Sequence, residues 1–128
     1  MRNPAVFVTA RILLASVFIG LGLSRLLAGA GMISGTATPI TAGVIAFSVV
    51  ELVIGLMIAA GWQVRRGALL MAAFLLVDAF AAHAFWRHPG PEMHGQLLHF
   101  LKNLAAIGGL LLLSWVASRQ ADGTIPPR

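Results

Sequence analysis

Four apolar runs follow one another along this chain, at residues 5–28, 41–62, 67–86 and 96–117. Each is close to the ~20 residues that cross a ~30 Å hydrocarbon core at 1.5 Å per residue. Inside hydrocarbon the backbone has no water to bond with, so each run must close its own hydrogen bonds as a helix. The expected fold is all-α, an integral membrane four-helix bundle. Residues 1–120 are read as one transmembrane domain. Residues 121–128 are read as a polar tail, expected to be disordered, that carries Pro126-Pro127.

Composition agrees with that fold. Of 128 residues, 59% are hydrophobic and 10% charged, against about 25% charged in soluble domains. The formal charge of +5 could suggest a nucleic-acid partner. Yet no basic run exceeds Arg65-Arg66, and the other basic residues sit near segment ends, so no nucleic acid is expected. The absence of cysteine excludes thiolate catalysis and thiol–disulfide exchange. Arg2, an apolar run and Ala28-Gly29-Ala30 imitate a cleavable signal sequence. Arg11 and Arg25 interrupt that run and three more spans follow, so the first helix is expected to be retained. No internal repeat stands out.

The breaks give the topology. Residues 30–41 are rich in Gly, Ser and Thr, residues 62–67 form a tight basic turn, and residues 87–94 form a loop punctuated by Pro89 and Pro91. Arg2, Arg11, Arg65, Arg66, Arg119 and Arg128 fall on one side of this layout, Arg25 and Arg87 on the other. The positive-inside bias puts the N- and C-termini in the cytoplasm.

Within the spans lie Glu51, Asp78, His83, His99 and Lys102. A charge at mid-membrane costs about 2.5–3.5 kcal/mol on insertion scales unless it faces protein or water. Counting 1.5 Å per residue from the outer ends places Lys102 about 10 Å deep, Asp78 about 13 Å and Glu51 about 15 Å. His83, His99 and Arg25 lie about 5–6 Å deep on the same count. The six share the outer half of the bilayer.

Helix periodicity supports convergence. Gln96, His99, Lys102, Asn103 and Ala106 form one polar stripe expected to face the bundle interior. Gly43, Phe47, Glu51, Gly55 and Ala59 recur every four residues, and their small members would bury Glu51 between helices. Ser16, Gly20 and Ser24 form a similar row leading to Arg25. Asp78 and His83 are five apart, about 140° around a helix, which would send His83 to an outer rim.

Two negatives, Glu51 and Asp78, balance two positives, Arg25 and Lys102. They form either a neutral ion-pair network, which lowers the burial cost, or a polar cavity. The plain structural readings are snorkelling for Arg25 and Lys102, a register-fixing ion pair for Glu51 and Asp78, and interfacial hydrogen bonding for His83 and His99. No histidine pair at i, i+4 supports a metal or haem site, so no metal is expected. His88 and His94 are read as solvated.

These residues resemble the DoxX family of small four-helix bacterial membrane proteins. The likeness covers Arg11 to about Trp115. It rests on Arg11-Ile-Leu-Leu-Ala-Ser-Val-Phe-Ile-Gly20 with Arg25, on Glu51-Leu-Val-Ile-Gly55 with Gly61 and Arg65, on His83-Ala-Phe85, and on Phe100-Leu-Lys102-Asn103-Leu-Ala105 with Gly108-Gly109-Leu110. The resemblance implies a multi-pass protein of the bacterial cytoplasmic (inner) membrane. It also implies a link to quinone-coupled oxidation, terminal oxidases or oxidative stress.

Three functions follow. The first is an accessory subunit of a quinone-linked or oxidative-stress redox system. Its ligand-binding residues would be Arg25, Glu51, Asp78, His83, His99, Lys102 and Asn103, with Glu51 and Asp78 as candidate catalytic proton carriers. Quinone is the cofactor this suggests, and no covalent cofactor is expected. The second is a structural or assembly subunit held by a buried ion-pair network. The third is a small proton-coupled transporter. Four-helix exporters of similar length keep their essential carboxylate in the first helix, whereas here that helix carries only basic residues. The expected partners are the lipid bilayer, subunits of a redox complex, and a second copy in a homodimer. No serine beside a base and no phosphate loop point to a soluble-type hydrolase.

Overall fold

The computed structural model describes residues 4–34 and 39–124. Arg2, Arg128 and the Pro126-Pro127 end of the tail lie outside the described residues, so their expected roles do too. Helices α1 (Pro4–Gly29), α2 (Ala42–Ala60), α3 (Val64–Ala81) and α4 (Pro91–Ala121) follow in order, with a 3-10 turn at Phe85–Arg87 between the last two. There are no strands among the described residues. Four segments are long and apolar enough to cross a membrane: Pro4–Gly29, Ala42–Ala60, Val64–Arg87 and Pro91–Ala121. The chain divides into two compact units, Met1–Gly67 and Ala68–Arg128.

In the first unit the helix ends are written in the sequence. Thr41 caps α2 by accepting a hydrogen bond from the Val44 N–H at 3.2 Å. Both α1 and α2 close on a glycine in the left-handed region, Gly31 (φ 73°) and Gly61 (φ 82°). The Met32 N–H returns to the Leu27 carbonyl and the Trp62 N–H to the Met57 carbonyl, each at 2.9 Å. This is the Schellman closure, and glycine takes that conformation without a Cβ clash. The turn after α2 is shorter than expected. Arg65 and Arg66 already belong to the first turn of α3.

Helices α1 and α2 approach closely, but not along the predicted row of α1. Ser16 and Ser24 donate back to the Leu13 and Leu21 carbonyls of their own helix, and Gly20 has open space around it. The packing face is Arg11, Ala15, Phe18 and Gly22, all buried. A Cβ built on Gly22 would lie 2.9 Å from the Ser48 carbonyl oxygen, and one on Gly55 would lie 3.2 Å from Phe18 Cβ. Glycine at both positions lets the two backbones meet. Of the predicted α2 row, Gly55 and Glu51 are buried, whereas Gly43 is exposed.

In the second unit α3 stops at Ala81, five residues before the predicted end of that span. The chain then folds through the 3-10 turn, where His88 Nδ1 lies 3.1 Å from the Ala84 carbonyl oxygen. Gly90 (φ 83°) precedes Pro91, the first residue of α4. Proline suits that position, because its missing N–H would have had no partner there. The predicted loop of 87–94 is therefore already helical from Pro91. Helix α4 starts five residues earlier and ends four residues later than its apolar run.

Candidate functional site

The first unit carries an ion pair between its two long helices. Glu51 sits on the buried face of α2 with Ser48, Ile54, Gly55 and Ile58. Arg25 continues the α1 packing face, three residues after Gly22. Arg25 Nη1 donates to Glu51 Oε2 at 2.8 Å. The carboxyl side chain is 3% exposed and the guanidinium side chain 25%. A carboxylate so enclosed needs a nearby positive charge, and the close helix approach at Gly22 and Gly55 supplies the route to one. Ser48 is also fully buried, and its hydroxyl has no hydrogen-bond partner among the described residues.

The second unit assembles a different group. Asn103 Nδ2 donates to Asp78 Oδ2 at 2.8 Å. The same carboxylate oxygen lies 3.4 Å from His83 Nε2. His83 Nδ1 is 2.9 Å from Gln96 Oε1. The His83 and His99 rings stack at 4.9 Å with 22° between planes. One carboxylate, two amides and two imidazoles thus form a continuous polar cluster.

An aromatic cluster adjoins it. Phe100 lies 5.4 Å from Phe80, 5.5 Å from Phe85 and 5.9 Å from Trp86, centroid to centroid. All three contacts are close to edge-on, the favoured geometry of aromatic pairs. Phe80 and Trp86 are a further 6.0 Å pair. Phe100 is one turn from both Gln96 and Asn103 on α4, so polar and aromatic groups share one stretch of helix.

Two expectations change here. His83 was expected at an outer rim, about 140° from Asp78 on a helix. Because α3 ends at Ala81, His83 is no longer helical, and its ring turns back to Asp78. Lys102 was expected to face inward on the polar stripe. It is exposed, and no hydrogen bond or ion pair to it is present among the described residues. The inward line of α4 runs through Gln96, Phe100, Asn103, Ile107, Leu110 and Ser114, and Lys102 lies about 100° off it. Asp78 therefore takes an amide and an imidazole as partners in place of the lysine.

Gln96 and the four aromatic residues were not among the predicted site residues. Gln96 was visible on the polar stripe. The dense aromatic spacing of 80, 85, 86 and 100 was the other available signal. No group of three or more His, Asp or Glu side chains among the described residues is arranged to hold a metal ion.

A family model, DoxX, matches residues 6–84. The inner membrane protein YphA of Escherichia coli (strain K12) is 28% identical over 117 residues, covering 88% of this chain and 83% of that protein. No solved structure matches the chain. The family match includes Arg25, Glu51, Asp78 and His83. The α4 residues of the cluster, Gln96, His99 and Asn103, lie beyond it.

Proposed function

This chain belongs to the DoxX family, and from that footing we propose that it is the accessory membrane component of a redox system that holds a quinone-like molecule beside Asp78, His83 and Asn103. It is a multi-pass inner membrane protein. The observation that carries the reading is the junction of the two clusters. Phe80, Phe85, Trp86 and Phe100 offer faces and edges to a planar ring. His83 Nδ1 would exchange its Gln96 partner for a carbonyl oxygen, and His99, the Gln96 amide and the Asn103 amide offer further hydrogen-bonding groups.

The chemistry asked of the chain is limited. Reducing a quinone to a quinol takes two electrons and two protons. The electrons would come from a redox partner, because this chain has no motif for a redox cofactor. The protons would pass through the His83–Asp78 pair, a carboxylate-oriented imidazole of the kind used in general acid–base catalysis. Quinone, redox subunits and a homodimeric state are parts of this proposal.

Tryptophan fluorescence tests it. With Trp62 and Trp115 replaced by Phe, Trp86 is the one remaining indole. A soluble quinone should quench it saturably, and His83→Ala and Asn103→Leu should each weaken that binding about tenfold, the worth of a lost hydrogen bond. Quenching that never saturates, or that ignores both substitutions, would sink the proposal.

The Arg25–Glu51 pair favours a second role beside the first. At 2.8 Å, with Glu51 almost wholly enclosed, it fixes the register of α1 on α2. On that reading Glu51 is structural, and proton exchange belongs to Asp78. The transporter alternative predicts proton flux in liposomes that Asp78→Asn abolishes.

A further inference from the structure

Lys102 is the single lysine of the sequence. It lies inside a membrane-crossing helix, yet it is exposed. The carboxylates of this chain do not serve it. Glu51 faces Arg25 and Asp78 faces Asn103 and His83. Glu92 is ten residues away along α4, about 15 Å, and Asp122 is twenty away, about 30 Å. Among the described residues no carboxylate is paired with Lys102.

We propose that Lys102 and His99 form a binding site for the headgroup of an anionic phospholipid, on the leaflet that meets the N-terminal half of α4. Depth supports a headgroup over a second protein's carboxylate. Trp115 and Arg119 mark the opposite interface, with the guanidinium 5.4 Å above the indole ring, as aromatic and basic anchors do. From Arg119 to Lys102 is seventeen residues, about 25 Å, in a hydrocarbon core of about 30 Å. Counted from this anchor, and shallower than the ~10 Å counted from the start of the apolar run, the lysine Cα is about 5 Å inside the far boundary. Its four-carbon stem spans that gap and places the ammonium among phosphates.

His99 strengthens the site. It is one turn nearer the headgroups, exposed, and held in place by its stack on His83. Exposed Leu98 and Leu101 lie about 40° and 100° around the helix from the cation and suit the acyl chains below the headgroup. The site shares His99 with the quinone reading, but Lys102, the exposed cation that carries it, takes no part there.

Because Lys102 is the only lysine, amine labelling followed by peptide mass analysis reports on it directly. The full chain is labelled in phosphatidylcholine vesicles with and without phosphatidylglycerol. An Arg66→Lys variant supplies a control amine in the exposed first turn of α3, which corrects for general surface potential. Phosphatidylglycerol should slow modification of Lys102 up to about fivefold more than it slows the control amine, the effect of one direct ammonium–phosphate ion pair of up to about 1 kcal/mol. His99→Ala should reduce that protection. Inorganic phosphate added to phosphatidylcholine vesicles should give none. In native mass spectrometry, wild type and Lys102→Arg should retain phosphatidylglycerol and Lys102→Met should lose it. Equal labelling in both vesicles overturns the proposal, as does protection by phosphate alone. Protection found only in native membranes containing other proteins also overturns it. The labelling arm reads the wild-type Lys102 side chain, and its control variant, Arg66→Lys, is a charge-conserving change at an exposed position.

Discussion

At the scale of single residues, the Arg25–Glu51 pair makes the sharpest prediction. Arg25→Met removes the cation 2.8 Å from a carboxylate that is 3% exposed, and should destabilise the protein by about 3 kcal/mol. Arg25→Met with Glu51→Gln should recover most of that loss, because neither partner is then left as a buried charge. Thermal unfolding in detergent measures both. If the double variant is as unstable as the single one, the pair is not what holds Glu51. Asn103→Leu removes the amide that donates to Asp78 and should cost about 1–3 kcal/mol. Glu51 and Asp78 were legible in the sequence because a carboxylate in an apolar run is rare and expensive. Their partners were less so. Charge counting paired Arg25 and Lys102 with the two acids, but only Arg25 makes that contact. Asp78 is met by Asn103 and by His83, whose position depends on where α3 ends. No glycine or proline marks that end before Pro89.

At the scale of elements, glycines sort by what surrounds them. Gly22→Ala places a Cβ 2.9 Å from the Ser48 carbonyl oxygen, a backbone atom that cannot rotate away. It should destabilise the α1–α2 pair by about 1–3 kcal/mol. Gly20→Ala meets nothing within 4 Å and should stabilise α1 by up to about 1 kcal/mol through helix propensity. Melting curves of the two variants should move in opposite directions. A shared direction would mean that α1 does not pack on the Gly22 face. The sequence presented both glycines within one apolar run, so periodicity alone did not choose between the Ser16–Gly20–Ser24 row and the Gly22 face. The choice follows from Arg25, which falls one turn after Gly22 and must reach Glu51. Apolar length was likewise a poor guide to α4. Its first five residues are mostly polar or small, yet Pro91 starts a helix regardless of hydropathy.

At the scale of the whole molecule, four spans were legible from apolar length alone, because lipid leaves a chain few alternatives to helices. The absence of cysteine makes orientation directly testable. We propose that both termini are cytoplasmic, from the placement of the arginines. Arg87→Cys should then react with a membrane-impermeant maleimide in intact cells, and Arg66→Cys only after lysis. The reverse pattern would invert the topology. The caps of α2 carry a separate consequence. Thr41 at one end and Gly61 at the other fix this helix at 19 residues, about 28 Å. It can neither extend nor tilt far in a ~30 Å core. Helix α2 thus acts as a ruler for hydrophobic thickness. The protein should be most stable in thinner bilayers and lose stability as acyl chains lengthen, by fractions of a kcal/mol per Å of mismatch.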